Sequence, residues 1–167
     1  DELFTEIQLP FPFTWKGHVE FTSISASPNG VIFLGDFINC LTCGSYQDCC
    51  AASPIGSFPD VNLPRIAAAH ADLAFSPDGS CPANVDYAMV EDAFIMSYEG
   101  LDVFPPKIDR LNLYIQVALY PNGDVEMRWG QGALMDTSSV AAGLEDGDLV
   151  VPATGDPFET DGVTAVG

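Results

Sequence analysis

The sequence has 167 residues, of which 24 are aspartate or glutamate and only 5 are lysine or arginine, so its formal net charge is −19. A field of this sign repels nucleic-acid phosphates and anionic membrane surfaces, and no apolar run reaches the ~18 residues of a membrane-spanning helix. With a hydrophobic fraction of 47%, the chain has enough apolar side chains for the core of one domain and is not a disordered acidic tail.

The N-terminal residues alternate weakly, with Leu3, Ile7 and Leu9 at one parity, and lead into a Pro-Phe-Pro-Phe segment at 10–13. We predict an extended N-terminal arm over residues 1–9 and a domain over residues 10–147. Within that domain the segment 19–26 ends at Ser27-Pro28-Asn29-Gly30, and the apolar run 31–34 follows. Pro, Asn and Gly favour a tight turn here, so the pattern predicts a β-hairpin.

Five cysteines in a short acidic chain are typical of an oxidising compartment. They crowd into one segment with a single outlier: Cys40, Cys43, Cys49, Cys50 and Cys81. We predict that disulfides staple the loop 40–50, and the sequence leaves the pairing open. Zinc is the weaker interpretation, because adjacent cysteines at 49 and 50 leave no spacer for a chelating turn.

The alanine-rich stretch 66–73 has two interpretations, a single helical turn or an extended segment whose small side chains permit close approach. We favour the extended segment, because so short a helix is marginal without packing. His70 and Asp72 within it suggest a metal ligand or a general base, although a structural role is the commoner one for such residues. A hydrolase would need paired carboxylates such as Asp72 and Asp86, and nothing in their spacing supports that pairing. We therefore predict no enzymatic activity.

Two further segments alternate with a period of two. In 93–98 the residues Phe94, Met96 and Tyr98 share a face, after a possible turn at 76–79. The strongest strand signal is 111–120, followed by a turn at 121–123 and a second strand that carries Val125, Met127 and Trp129 on one side. The first strand of this hairpin places five apolar side chains on one predicted core face: Leu111, Leu113, Ile115, Val117 and Leu119.

Tyr114 and Tyr120 have the parity opposite to that core face. They are either exposed, and available to stack on a sugar or a protein, or buried if a second layer covers them. The acidic residues Glu145, Asp146 and Asp148 are candidate calcium ligands, with a solvated acidic loop as the alternative. Residues 148–167 are rich in Gly, Pro, Thr and Asp, and we predict a C-terminal arm or linker there.

Short strands separated by Pro, Asn and Gly turns predict an all-β protein, an antiparallel β-sandwich with a disulfide-stapled loop and extended terminal arms. The order of the segments over residues 9–147 resembles the nidogen-like (NIDO) domain of extracellular adhesion and matrix proteins. The resemblance is carried by Leu9-Pro10-Phe11-Pro12-Phe13-Thr14-Trp15, Asn29-Gly30, Ile66-Ala67, Ala71-Asp72, the strand-turn-strand unit 113–130 and Ala141-Ala142-Gly143-Leu144. The chain departs from the family at the insertion 40–50 and at His70, where the family usually has a large aromatic residue.

The resemblance implies a non-catalytic, secreted or cell-surface module with a structural or adhesive role in a surface filament, coat or matrix. It implies no cofactor, and protein partners that are other copies of the chain or matrix proteins. The alternative function is a carbohydrate-binding β-sandwich, with calcium as a possible ligand. For assembly, the terminal arms either add to the sheet edge of a neighbouring copy or fold back on their own sandwich.

Overall fold

A computed structural model of the chain describes residues 5–15, 19–36, 64–70, 73–74, 84–103, 113–130, 141–145 and 163–166. These residues form eleven strands and the turns that join some of them. The strands are β1 (Thr5–Trp15), β2 (Val19–Ala26), β3 (Val31–Leu34), β4 (Arg65–His70), β5 (Leu73–Ala74), β6 (Asn84–Val90), β7 (Ala93–Val103), β8 (Leu113–Leu119), β9 (Val125–Trp129), β10 (Ala141–Glu145) and β11 (Val163–Val166).

The strands form two sheets that pack face to face. The five-stranded sheet has the order β1-β2-β3-β4-β10, and the six-stranded sheet has the order β11-β9-β8-β7-β5, with β6 also paired to β7. All pairs are antiparallel except β11 with β9, which is parallel. The prediction of an all-β antiparallel sandwich is therefore confirmed. In the ranges described above, no helix is long and apolar enough to cross a membrane.

The first strand begins well before the predicted start of the domain. Thr5 pairs with Ala26 of β2, and the register shifts between Gln8 and Phe13, where β1 carries two prolines. Ile7 and Leu9 are buried in the core. The predicted boundary after residue 9 thus falls inside β1, and residues 5–9 belong to the sheet of their own chain.

The predicted hairpin of β2 and β3 is confirmed. Its turn closes with backbone hydrogen bonds from the Ser27 amide to the Val31 carbonyl (2.8 Å) and from the Gly30 amide to the Ser27 carbonyl (3.3 Å). Asn29 is buried, and its side-chain oxygen accepts a bond from the Leu73 amide at 2.9 Å. The turn is thereby tied to a segment 44 residues further along the chain.

The alanine-rich stretch is extended, as we favoured, and forms β4 between β3 and β10. Ala67, Ala68 and Ala69 are almost completely buried. The β2–β3 turn also lies close against this strand, because a Cβ at Gly30 would be 2.6 Å from the backbone carbonyl oxygen of Ala69. The strand therefore supplies tight packing in the core.

The hairpin of β8 and β9 is also confirmed. Ile115, Val117 and Leu119 are fully buried, whereas Leu111 and the side chain of Leu113 lie outside the described residues. On the neighbouring strand β7, the three residues predicted to share a face are buried as well: Phe94, Met96 and Tyr98. The period-two pattern thus identified the core face of both strands.

Two contacts join the hairpin of β8 and β9 to the opposite sheet. Trp129 packs against the core, as its parity predicts, and its indole nitrogen donates to the Ala68 carbonyl of β4 at 2.9 Å. Gly123, in the turn, lies against β1 with a φ of +93°. A Cβ at this position would be only 2.2 Å from the carbonyl oxygen of Thr14.

Several predictions fall on residues that are not described. These are the turn at 76–79, the stapled loop 40–50 with Cys40, Cys43, Cys49, Cys50 and Cys81, and the C-terminal segment 148–162. The disulfides stay predictions. Within the predicted C-terminal arm, residues 163–166 form β11.

We predict that Gly123→Ala lowers the free energy of unfolding by roughly 2 kcal/mol or more, because the new methyl group meets backbone and the φ is unfavourable for alanine. Urea denaturation measures the effect. Pro121→Ala, at an exposed position of the same turn, is the matched control and should change the stability by well under half as much. Equal effects of the two substitutions would contradict the close approach of the turn to β1.

Candidate functional site

The outer face of the six-stranded sheet carries a ladder of polar side chains. We call this surface the polar face; its members are Ser97, Glu99, Tyr114, Gln116, Tyr120, Glu126 and Arg128. They come from β7, β8 and β9, with Tyr120 directly after β8, and alternate with the core-facing residues of these strands. Cross-strand hydrogen bonds link them, such as the bond from the Gln116 amide to the Ser97 hydroxyl at 3.0 Å.

Tyr114 is the most exposed aromatic residue of the polar face, with 43% of its surface accessible. Its hydroxyl donates to Glu99 Oε1 at 2.6 Å. The hydrogen bond and the charge of this carboxylate raise the pKa of Tyr114 above its ordinary value of 10.0. The ring lies beside Gly130, where a Cβ would be 2.8 Å from the Tyr114 Cβ. Gly130 thus lies against the base of the Tyr114 ring, and the residue is still exposed.

Tyr120 is less exposed than Tyr114, and its hydroxyl donates to Glu126 Oε2 at 2.9 Å. Six positions separate the two tyrosines along an extended chain, which corresponds to about 20 Å. The sequence therefore identified two residues of one sheet face, but they are too far apart to hold a single sugar ring between them.

Glu126 and Arg128 form an ion pair within β9. Arg128 donates from Nε to Glu126 Oε1 at 2.9 Å and from Nη2 to Oε2 at 2.6 Å. The bonds from Arg128, with a smaller contribution from Tyr120, lower the pKa of Glu126 below its ordinary value of 4.5. The pair lies on the β9 side of the polar face, and the guanidinium of Arg128 neutralises the charge of the Glu126 carboxylate.

The second candidate surface is the hairpin of β6 and β7. Val90 pairs with Ala93 across a two-residue turn, Glu91 and Asp92, and Glu91 has a left-handed φ of 56°. Strand β6 is exposed along nearly its whole length. Among the large apolar side chains of the sheet that the structure describes, those of β6 are the most exposed, with accessible fractions of 57% at Tyr87, 45% at Met89 and 50% at Val90.

Three residues of β6 lie on the core side of the sheet but are not fully buried. Val85, Tyr87 and Met89 are directly opposite Tyr98, Met96 and Phe94, all of which are buried. Only Val85 packs partly against the core, while the Tyr87 ring contacts the Phe94 ring at a centroid distance of 5.6 Å. The core face of the six-stranded sheet thus continues into solvent at β6, and we call this region the β6 edge.

A family model described as NIDO related matches residues 1–161 of the chain. The chain belongs to the NIDO-related family. The match extends beyond residues 9–147, over which the resemblance was recognised, and it includes all of β1. No curated protein and no solved structure matches the chain.

In this NIDO-related chain the other sequence-predicted site residues are only partly described. Glu145 ends β10, but its side chain and the residues Asp146 and Asp148 lie outside the described ranges, as does Asp72. His70 ends β4 and its side chain is not described. Asp86 is exposed on β6 and accepts a hydrogen bond from the Asn84 side chain. Among the side chains that the structure does describe, no group of three His, Cys, Asp or Glu is arranged to hold a metal.

Sequence reasoning missed the β6 edge. The signal was present, because Val85, Tyr87 and Met89 alternate with Asn84, Asp86 and Ala88 directly before the recognised strand 93–98. The turn between them, Glu91-Asp92, contains neither Gly nor Pro nor Asn, so it lacks the residues that usually mark a hairpin.

We predict that Glu126→Gln lowers the free energy of unfolding at pH 7 by no more than about 1 kcal/mol, because the pair with Arg128 is partly exposed. The folded-state pKa of Glu126 is depressed, so its stabilisation is present above pH 4.5 and is lost as the pH falls through the lower, folded value. Urea denaturation should show a larger difference between the variant and the parent at pH 7 than near pH 3. Glu20→Gln, at an exposed position of β2, is the control, and a pH-independent effect of Glu126→Gln would contradict the assignment.

Proposed function

We propose that this chain is a non-catalytic extracellular module with a structural or adhesive role, secreted or displayed at a cell surface as part of a filament, coat or matrix. Membership of the NIDO-related family suggests an extracellular module. The five cysteines, which favour an oxidising compartment, agree with that location.

The observation that carries the adhesive role is the β6 edge. Tyr87 and Met89 continue the apolar core face of the sheet but are about half exposed. Exposed apolar side chains on an edge strand are typical of surfaces that bind other proteins. The apolar core face of the sandwich therefore ends in a contact surface for a protein partner.

The absence of catalysis is part of the proposal. The carboxylates of the polar face are engaged by neighbours: Glu99 by Tyr114, and Glu126 by Tyr120 and Arg128. Such mutual satisfaction suits a stable surface rather than an acid and base poised for proton transfer. We propose that the module acts through binding, without a cofactor.

The second candidate is carbohydrate binding, and the exposed ring of Tyr114 is the observation that favours it. The ring is flanked on the polar face by the hydroxyl and amide groups of Ser97 and Gln116, which suit the hydroxyls of a sugar. A calcium ion bound by Glu145, Asp146 and Asp148 remains part of this alternative.

The structural role predicts where the native protein is found. An antibody raised against the purified chain should detect it in the extracellular or surface fraction of the producing cells. Within that fraction it should be insoluble until a chaotrope and a reductant release it. A cytosolic marker protein is the control for lysis. Recovery of the chain in the soluble intracellular fraction would overturn the proposal.

The carbohydrate alternative predicts a glycan-array signal that depends on the Tyr114 ring. Tyr114→Ala should weaken binding about ten-fold by removing the stacking surface, whereas Tyr114→Phe should retain most of it. Tyr120→Ala, about 20 Å away on the same face, is the matched control. No glycan signal, or equal losses at the two positions, would exclude a sugar site at Tyr114.

A further inference from the structure

The β6 edge presents backbone groups as well as exposed side chains. Val90 and Ala93 flank a two-residue turn, so these two residues exchange backbone hydrogen bonds. The bonding direction alternates along an antiparallel ladder. The N–H and C=O groups of Val85, Tyr87 and Met89 therefore point away from β7. Among the described strands, β6 pairs with β7 alone.

The β6 edge also lacks several of the features that protect a sheet edge, and Asp86 is the only charged residue of the strand. It carries no proline and no lysine, and its ladder with β7 runs through seven consecutive pairs without a register shift. One edge strand of the five-stranded sheet, β1, differs, because it contains Pro10 and Pro12 and its register shifts between Gln8 and Phe13. Of these two edges, only β6 can accept a further strand along its full length.

We propose that β6 pairs antiparallel with β6 of a second copy of this chain, around a two-fold axis that passes through Tyr87. The proposal rests on the structural role proposed above and names the partner of the β6 edge. Tyr87 then faces Tyr87 of the second copy, and Val85 faces Met89. All three are residues whose backbone groups point outward, so each pair exchanges hydrogen bonds in both directions.

The side chains of β6 complement themselves in this register. On the core side every cross-strand pair is apolar, so each of these side chains gains an apolar neighbour and loses part of its exposed surface. On the other side Asp86 faces Ala88, and Asn84 faces Val90. No like charges are directly opposite, and all seven residues of the strand take part.

The neighbouring symmetric registers are worse. Moving the axis to Asp86 places two carboxylates directly opposite each other, which is destabilising. Moving it to Ala88 leaves Asn84 and Val85 without partners on the strand. Charge and strand length together therefore select the register centred on Tyr87. Because this contact is isologous, it closes as a dimer and does not propagate into a fibre by itself.

The strong negative charge of the chain opposes this dimer and makes its dissociation constant depend on the salt concentration. Each copy has a net charge of −19, and the screening length falls from about 30 Å at 0.01 M salt to about 8 Å at 0.15 M. Self-association should therefore strengthen as salt is added. A cationic peptide segment bound at the same edge would show the opposite dependence.

Sedimentation velocity of the purified intact chain over a concentration series tests the proposal. We expect a monomer–dimer equilibrium that tightens with salt. Tyr87→Pro should abolish it, because that N–H is used only by the second copy and the ladder with β7 is unaffected. Tyr87→Lys is the second disrupting variant, and Val19→Lys, which adds the same charge at an exposed position of β2, should dimerise as the parent does. Urea denaturation of each variant verifies that it is folded.

Two substitutions at Ala88 test the register. Ala88→Lys places an ammonium opposite Asp86 at both symmetric positions and should lower the dissociation constant on the order of ten-fold, while Ala88→Asp should raise it by a similar factor. Both effects should diminish at high salt. A parent chain that stays monomeric, a dimer that survives Tyr87→Pro, or the same direction of change for both Ala88 variants would overturn the β6 dimer. These outcomes concern the purified chain only, so the fractionation experiment still decides the extracellular role independently.

Discussion

The close approach of the two sheets at β4 is the constraint on which the rest of the structure depends. Three consecutive alanines are buried there, and the carbonyl of Ala68 accepts the indole N–H of Trp129 from the opposite sheet. The pairing of β4 with β10 shifts register between Ala141 and Gly143, close to this bond. Ala68 belongs to the core cluster between the sheets, so a larger side chain at this position would push the sheets apart and strain the cross-sheet bond, because interiors are packed without spare volume.

Anchoring the sheets at β4 and β9 determines which parts of the six-stranded sheet are covered. Strands β7 and β8 bury their apolar side chains against the five-stranded sheet, and a single step further, at β6, the same face is exposed. At β6 the core of the sandwich thus ends in a border of exposed apolar side chains rather than polar ones. That border is the physical basis for proposing that a protein surface completes it.

The polar face and the β6 edge suit different kinds of recognition. On the polar face, hydroxyl, amide and carboxylate groups hydrogen-bond to one another. A ligand on this face must therefore contact the exposed ring of Tyr114. At the β6 edge, backbone groups and apolar side chains are both available, and main-chain pairing supplies directional bonds. The proposed structural or adhesive role depends on the β6 edge, whereas the proposed carbohydrate alternative depends on the polar face.

The sequence by itself determined the class of the fold, the two hairpins and the core faces of β7 and β8, because period-two alternation and Pro-Asn-Gly turns are local properties of the chain. Parity also placed Tyr114 and Tyr120 on the face opposite the core residues, but it left open whether that face was exposed or covered. Only the tertiary structure decided that residues 5–9 join the sheet of their own chain, since the residue pattern of β1 or β2 alone does not specify which strand it pairs with. The exposure of β6 likewise depends on where the opposite sheet ends. A strand whose apolar side is covered and one whose apolar side is exposed can have the same alternating sequence pattern.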